Sequence, residues 1–153
     1  MSEADAAVLS IDRRNNRLLG AVLTLCFAAP LILAATLTPS DAGMGTHTQM
    51  GLPDCGFKVI TGYPCATCGC TTSFAHAANG SLLTSFLNQP FGALLALFCA
   101  MLALVSAWSA WSGMSMTHVG RFAANKRTIL CWLAVLLVAW GYKAAAVAMA
   151  PPA

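Results

Sequence analysis

Charged residues are scarce in this sequence. Only 8% of the 153 residues are Asp, Glu, Lys or Arg, and 58% are hydrophobic, whereas soluble domains contain about 25% charged residues. A water-exposed surface of ordinary composition cannot be built from such a chain. The basic residues flank apolar runs and have no aromatic residues interleaved with them. We therefore expect neither a soluble domain nor a nucleic-acid partner.

Acidic residues are almost absent beyond the N-terminal tail. Asp41 and Asp54 are the only two after Asp12. The sequence contains no serine–histidine–acid set, no paired carboxylates and no glycine-rich phosphate loop. General acid–base catalysis therefore has few possible agents. We predict no catalytic residues and no organic cofactor, and we expect that the chain is not an enzyme.

Three long apolar runs occupy much of the chain. Residues 18–37 and 90–111 contain no charged residue, and residues 128–150 contain only Lys143. About 20 helical residues cross the roughly 30 Å hydrocarbon core of a bilayer. The pattern predicts an all-α membrane protein in which these runs are transmembrane helices in contact with lipid. Lys143 is expected to extend its ammonium group outward to the membrane interface.

The distribution of basic residues indicates an orientation in the membrane. Residues 38–89, between the first and second runs, contain only Lys58. Six of the eight basic residues instead flank the first and third runs: Arg13, Arg14, Arg17, Arg121, Lys126 and Arg127. Basic flanks tend to remain cytoplasmic. Residues 1–17 and 112–127 are therefore predicted to be cytoplasmic, and residues 38–89 and 151–153 extracytoplasmic.

The loop of residues 38–89 is the only long polar segment. It is rich in Gly, Pro, Thr, Ser, Asn and Cys, which favour turns. Apolar residues recur at helical spacing in 81–87, so a short interfacial helix is predicted there. The hydroxyls of residues 71–73 are expected to cap another helix that begins near Phe74.

Four of the seven cysteines lie in this loop, at Cys55, Cys65, Cys68 and Cys70. Cys65 and Cys68 have the Cys-x-x-Cys spacing of a metal knuckle, and a glycine follows them. Cys55 and Cys70 would complete a tetrahedral site, for which zinc is the expected metal. His47 and His76 are alternative ligands. Cys26, Cys99 and Cys131 lie in the apolar runs, where an isolated cysteine is usually a small apolar side chain.

Other interpretations of the same four cysteines remain open at this point. An extracytoplasmic loop is in an oxidising compartment, so the four thiols are equally candidates for two disulfides, and the pairing does not follow from the sequence. Cys65 and Cys68 also have the spacing of a redox dithiol. Free thiols in a membrane-proximal turn are the remaining alternative.

From Cys55 to about Phe98 the chain resembles an uncharacterised family of small bacterial membrane proteins. That family is marked by Cys-Pro-x-Cys-Gly-x-Thr-Arg followed by an Asn-Pro-type element. Here residues 65–72 read CATCGCTT and residues 88–91 read NQPF. Ala66 and Thr72 stand where the family usually has proline and arginine. The resemblance implies a multi-span protein of the bacterial inner membrane with its cysteine motif at the membrane boundary, and it implies no activity.

These observations lead to one expected function and one alternative. We expect a non-enzymatic accessory or structural membrane component whose loop is stabilised by disulfides or by a metal. Three short spans rarely enclose a transport path, so a membrane-protein partner or a homo-oligomer is expected. The alternative is a thiol–disulfide redox or metal-binding membrane protein that acts through Cys65 and Cys68.

Overall fold

The computed structural model of the chain describes residues 3–149, with the side chains of residues 3–11 and 118 outside that description. The predicted extracytoplasmic end, residues 151–153, and the last residue of the third predicted span lie outside the described residues. All regular structure in the described part is helical. The prediction of an all-α fold is therefore confirmed.

Three of the helices are long. They are α1 (Glu3–Ala35), α5 (Pro90–Ser112) and α7 (Lys126–Met149). The stretches that are apolar enough to cross a membrane are Asp12–Ala35, Pro90–Ser112 and Lys126–Met149, with 24, 23 and 24 residues. At 1.5 Å per residue each exceeds about 34 Å, more than the hydrocarbon core requires. The three-span prediction is confirmed, and the cysteine-rich loop lies between the first two spans.

Four shorter helices connect the long ones. The loop between α1 and α5 contains α2 (Gly56–Thr61), α3 (Cys70–Ala78) and α4 (Leu82–Asn88), and a 3₁₀ turn at Thr46–Met50 precedes them. Helix α6 (Thr117–Ala123) lies between α5 and α7. Helix α4 is found where the sequence predicts a short amphipathic helix. Its Leu83 and Leu87 are exposed, as an apolar face directed at lipid would be.

The described chain forms two compact units, which we treat separately. The first contains the N-terminal 30 residues and Phe98–Ile129. Within it α1 and α5 approach closely at Gly20, where a Cβ atom would lie 2.6 Å from the backbone nitrogen of Ala110. Asn16 Nδ2 donates to the carbonyl oxygen of Gly113 at 3.3 Å. The basic part of α1 therefore packs against the turn that follows α5.

The second unit contains Leu31–Leu97 and the chain from Leu130 onward. Its interior consists of small side chains, several of them polar. Ser73, Ser85 and Ala75 have no exposed surface. Ser73 Oγ donates to the carbonyl oxygen of Ser85 at 2.9 Å, and Ser85 Oγ donates to that of Ser73 at 2.7 Å, which joins α3 to α4. Large apolar side chains face outward instead. This arrangement suits a protein surrounded by lipid, where small residues let helices pack closely.

Helix α5 lies against α3 at Gly92. A Cβ atom there would be 3.0 Å from Cys70 Cα and 3.0 Å from Ser73 Cβ. A side chain at this position would crowd α3, so glycine favours this close approach. The start of the second span is thereby fixed against the cysteine-bearing part of the loop.

Candidate metal centre

Three of the four loop thiols converge in the second unit. The Sγ atoms of Cys55, Cys65 and Cys68 all lie within 4.8 Å of one another, and the Cys65 and Cys68 sulfurs are 3.5 Å apart. Tetrahedral Zn–S bonds of about 2.3 Å place sulfur ligands about 3.8 Å apart. The three thiols are therefore spaced as ligands of a single metal ion would be, and small side-chain movements would bring them onto it.

Local backbone structure positions each thiol. A turn closed by Cys68 N–H donating to Cys65 O at 3.0 Å places the two knuckle cysteines on one side. Cys55 immediately precedes α2, and its carbonyl oxygen accepts the N–H of Val59 at 3.0 Å. Gly62 ends α2 with φ of 75°, which only glycine adopts readily. The chain can therefore reverse and bring Cys55 back to the knuckle.

Cys70 is outside this group of three. It is the first residue of α3, and burial raises the pKa of its thiol to about 11, although Gln89 and the charge of Lys143 act in the opposite direction. Of the two candidate histidines, His47 is close to the group but its Nε2 lies 3.1 Å from the carbonyl oxygen of Pro53. His76 lies in the last turn of α3.

All seven cysteines are free thiols in this structure. The environments of the clustered thiols differ. A backbone hydrogen bond from Lys58, assisted by the Cys68 thiol, lowers the pKa of Cys55 to about 7. Burial raises the pKa of Cys68 to about 12. Cys55 therefore ionises more readily than Cys68, which is held as a neutral thiol until a cation displaces its proton.

A cavity of about 340 Å³ adjoins the three thiols. All three cysteines line it, together with His47, Asp54, Lys58 and Thr67 among others. A metal ion bound by three cysteines would therefore be reachable from this cavity. Three protein ligands with an accessible fourth position are typical of metal sites that exchange a ligand, whereas closed structural sites have four.

The prediction that residues 71–73 cap a helix beginning near Phe74 is wrong. The helix begins four residues earlier, at Cys70, because Gly69 adopts φ of 89° and lets the chain turn directly from the knuckle into α3. The hydroxyls of Thr72 and Ser73 therefore lie inside the first turns and are fully buried. Thr72 Oγ1 is 2.8 Å from Thr46 Oγ1, which attaches α3 to the 3₁₀ turn.

Side chains of helix α7 donate hydrogen bonds to the loop, and the sequence did not indicate these contacts. Trp140 Nε1 donates to the carbonyl oxygen of Pro64 at 2.9 Å, directly before the knuckle. Tyr142 Oη donates to Leu87 O at 2.8 Å. Lys143 does not extend to water as expected: it is 7% exposed, because the loop folds over it. The residues next to Lys143 in the sequence do not indicate that the loop would cover its side chain.

Asn88 connects the end of α4 to the start of α3 and to Lys143. Its Nδ2 donates to Gly69 O at 3.1 Å and to Ser73 Oγ at 3.1 Å. Its Oδ1 accepts the Lys143 ammonium at 2.9 Å. The residue that ends α4 thus holds the backbone between Cys68 and Cys70 in place.

Comparison with known proteins agrees with the resemblance noted above. Residues 55–103 match a family described as a protein of unknown function (DUF2752). The match covers the three clustered cysteines, α3, α4 and the first part of α5. The curated proteins and the solved structures contain no significant match to the chain.

Proposed function

We propose that this chain is a non-enzymatic membrane protein that binds a thiophilic metal ion, zinc in the first instance, through Cys55, Cys65 and Cys68. The observation that carries the proposal is the mutual approach of the three sulfur atoms within 4.8 Å. Thiolates select zinc, copper(I) and iron–sulfur groups over hard cations. The bound ion would stabilise a loop that has few buried apolar side chains of its own. It would remain accessible from the adjoining cavity.

We also propose that the cysteine loop lies on the extracytoplasmic side of a bacterial inner membrane, with the N-terminus in the cytoplasm. The two basic groups of the sequence support this orientation. Asn16, close to Arg13 and Arg17, bonds to Gly113, so the first basic group lies beside the start of the connection that carries the second. Basic residues next to spans favour the cytoplasmic side.

Metal content and thiol counts on anaerobically purified protein test the proposed function. Wild-type protein is expected to carry about one zinc ion per chain, because three thiolates form one site. Substitution of Cys55, Cys65 and Cys68 together by alanine is expected to abolish it. A matched variant with Cys26, Cys99 and Cys131 changed to alanine is expected to retain it. Wild-type protein that takes up no metal with all its thiols reduced would contradict the proposal.

Thiol–disulfide exchange is the second candidate. The 3.5 Å separation of the Cys65 and Cys68 sulfurs favours it. In such a reaction a partner disulfide is reduced to two thiols, and Cys65 and Cys68 give up two electrons and two protons to form a disulfide. The same thiol counts distinguish the candidates. A Cys65–Cys68 disulfide that cycles with a glutathione buffer, without bound metal, would favour exchange.

A further inference from the structure

Lys143 is a buried cation without a carboxylate partner among the described residues. Its ammonium donates to Gly43 O at 3.1 Å, to Asn88 O at 3.1 Å and to Asn88 Oδ1 at 2.9 Å. These three bonds use all three ammonium hydrogens. The acids of the same unit, Asp41 and Asp54, are exposed. A buried charge matched only by neutral acceptors is costly unless an opposite charge lies nearby.

The Lys143 side chain lies next to Gly69, which directly follows the cysteine knuckle. A Cβ atom on Gly69 would be 3.4 Å from Lys143 Cε and 2.9 Å from Gly43 O. The lysine stem therefore lies beside Gly69, the residue between Cys68 and Cys70. Gly43 and Gly69 both have positive φ. Because neither has a side chain, they leave room for the Lys143 side chain.

A nearby cation would stabilise a metal held by three thiolates, because the complex is negatively charged. Three thiolates carry −3, so the complex with Zn²⁺ has a net charge of −1 and the complex with Cu⁺ has −2. We propose that Lys143 is the built-in counter-charge of the three-cysteine site and favours bound complexes with a net negative charge. This inference rests on the proposed function. It assigns to Lys143, which lies outside the segment matched by the family, a part in metal selection.

A series of ions with different charges separates this electrostatic role from a structural one. Arsenite, As(OH)₃, condenses with three thiols to a neutral complex and releases three waters, so it uses the same ligands without leaving a charge. The affinities of the full-length protein in detergent for Cu⁺, Zn²⁺ and arsenite are measured for wild type and Lys143→Met. Lys143→Gln serves as a second neutral variant that keeps a hydrogen-bonding group. Lys126→Met, an exposed lysine of the same helix, is the control.

The expected losses follow the charge of the complex. Coulomb attraction between a nearby cation and the complex, at an effective dielectric of about 20, is expected to contribute about tenfold in affinity per unit charge. Removal of the Lys143 charge is therefore expected to weaken Zn²⁺ binding about tenfold and Cu⁺ binding about a hundredfold. Arsenite binding should change less than about threefold, which also shows that the site is intact. Lys126→Met should leave all three affinities unchanged.

Two other outcomes would contradict different claims. Equal losses for all three ions in both Lys143 variants would show that the lysine only holds the loop together, and would overturn this inference while leaving metal binding intact. Failure of the wild-type protein to bind any of the three ions would instead contradict the proposed function, and this inference with it.

Discussion

A Cys68→Ser variant is expected to bind Zn²⁺ roughly a thousandfold more weakly than wild-type protein. Zinc binds thiolate-containing peptides with about 10–16 kcal/mol, so an even share for one of three thiolates is about 4 kcal/mol. Cys68 is the most buried of the three thiols, at 8% exposure. A serine hydroxyl is a much poorer zinc ligand than a thiolate. Competition with a chromophoric chelator measures the change.

Cys70→Ser is the matched control for this variant. Cys70 is two residues away in the same loop, and its thiol is outside the group of three. We expect its substitution to change the affinity for Zn²⁺ by less than about threefold, as for a neighbour that does not ligate the ion. Equal losses in Cys68→Ser and Cys70→Ser would show that all four loop cysteines bind the metal.

An Asn88→Ala variant is expected to lose about 3 kcal/mol of the free energy of unfolding. Its side chain accepts a hydrogen bond from a buried ammonium and donates two others, to Gly69 and Ser73. Hydrogen bonds to charged groups contribute about 1.5–3 kcal/mol and neutral ones about 1, and the ammonium left without an acceptor adds a desolvation cost. Denaturant unfolding of the metal-free protein in detergent measures the loss.

Asn79→Ala is the control for the second prediction. Asn79 also donates through Nδ2, to Ala75 O at 2.8 Å, but this bond lies at the exposed end of α3. Its loss is expected to cost about 1 kcal/mol or less. Similar destabilisation by the two substitutions would mean that the network around Lys143 contributes nothing beyond an ordinary surface hydrogen bond.

The three spans were predictable because their signal is local. Each requires only length and the absence of charge, and the sequence displays both between residues 18 and 37 and from Pro90 onward. The small helices of the loop have a weaker signal. The apolar spacing of residues 81–87 predicts α4, but the boundaries of α2 and α3 depend on Gly62 and Gly69, whose positive φ is not evident from the residue type alone.

The candidate site was predictable in part. The spacing of Cys65 and Cys68 indicates a shared turn, and the structure has one. Cys55 and Cys70 looked equivalent in the sequence, yet only Cys55 joins the group, because Gly69 directs the chain into α3 at Cys70. The contacts of Lys143 and Trp140 join residues 55 to 100 positions apart. No local pattern reveals such contacts, so a lysine in an apolar run was assigned to the interface.

Zinc K-edge X-ray absorption on the purified, zinc-loaded protein tests the three-cysteine site most directly. A shell of three sulfur atoms at about 2.3 Å, with one lighter atom at about 2.0–2.2 Å, is the expected result. A first shell composed only of nitrogen and oxygen atoms would contradict the account, because it would place the metal away from Cys55, Cys65 and Cys68.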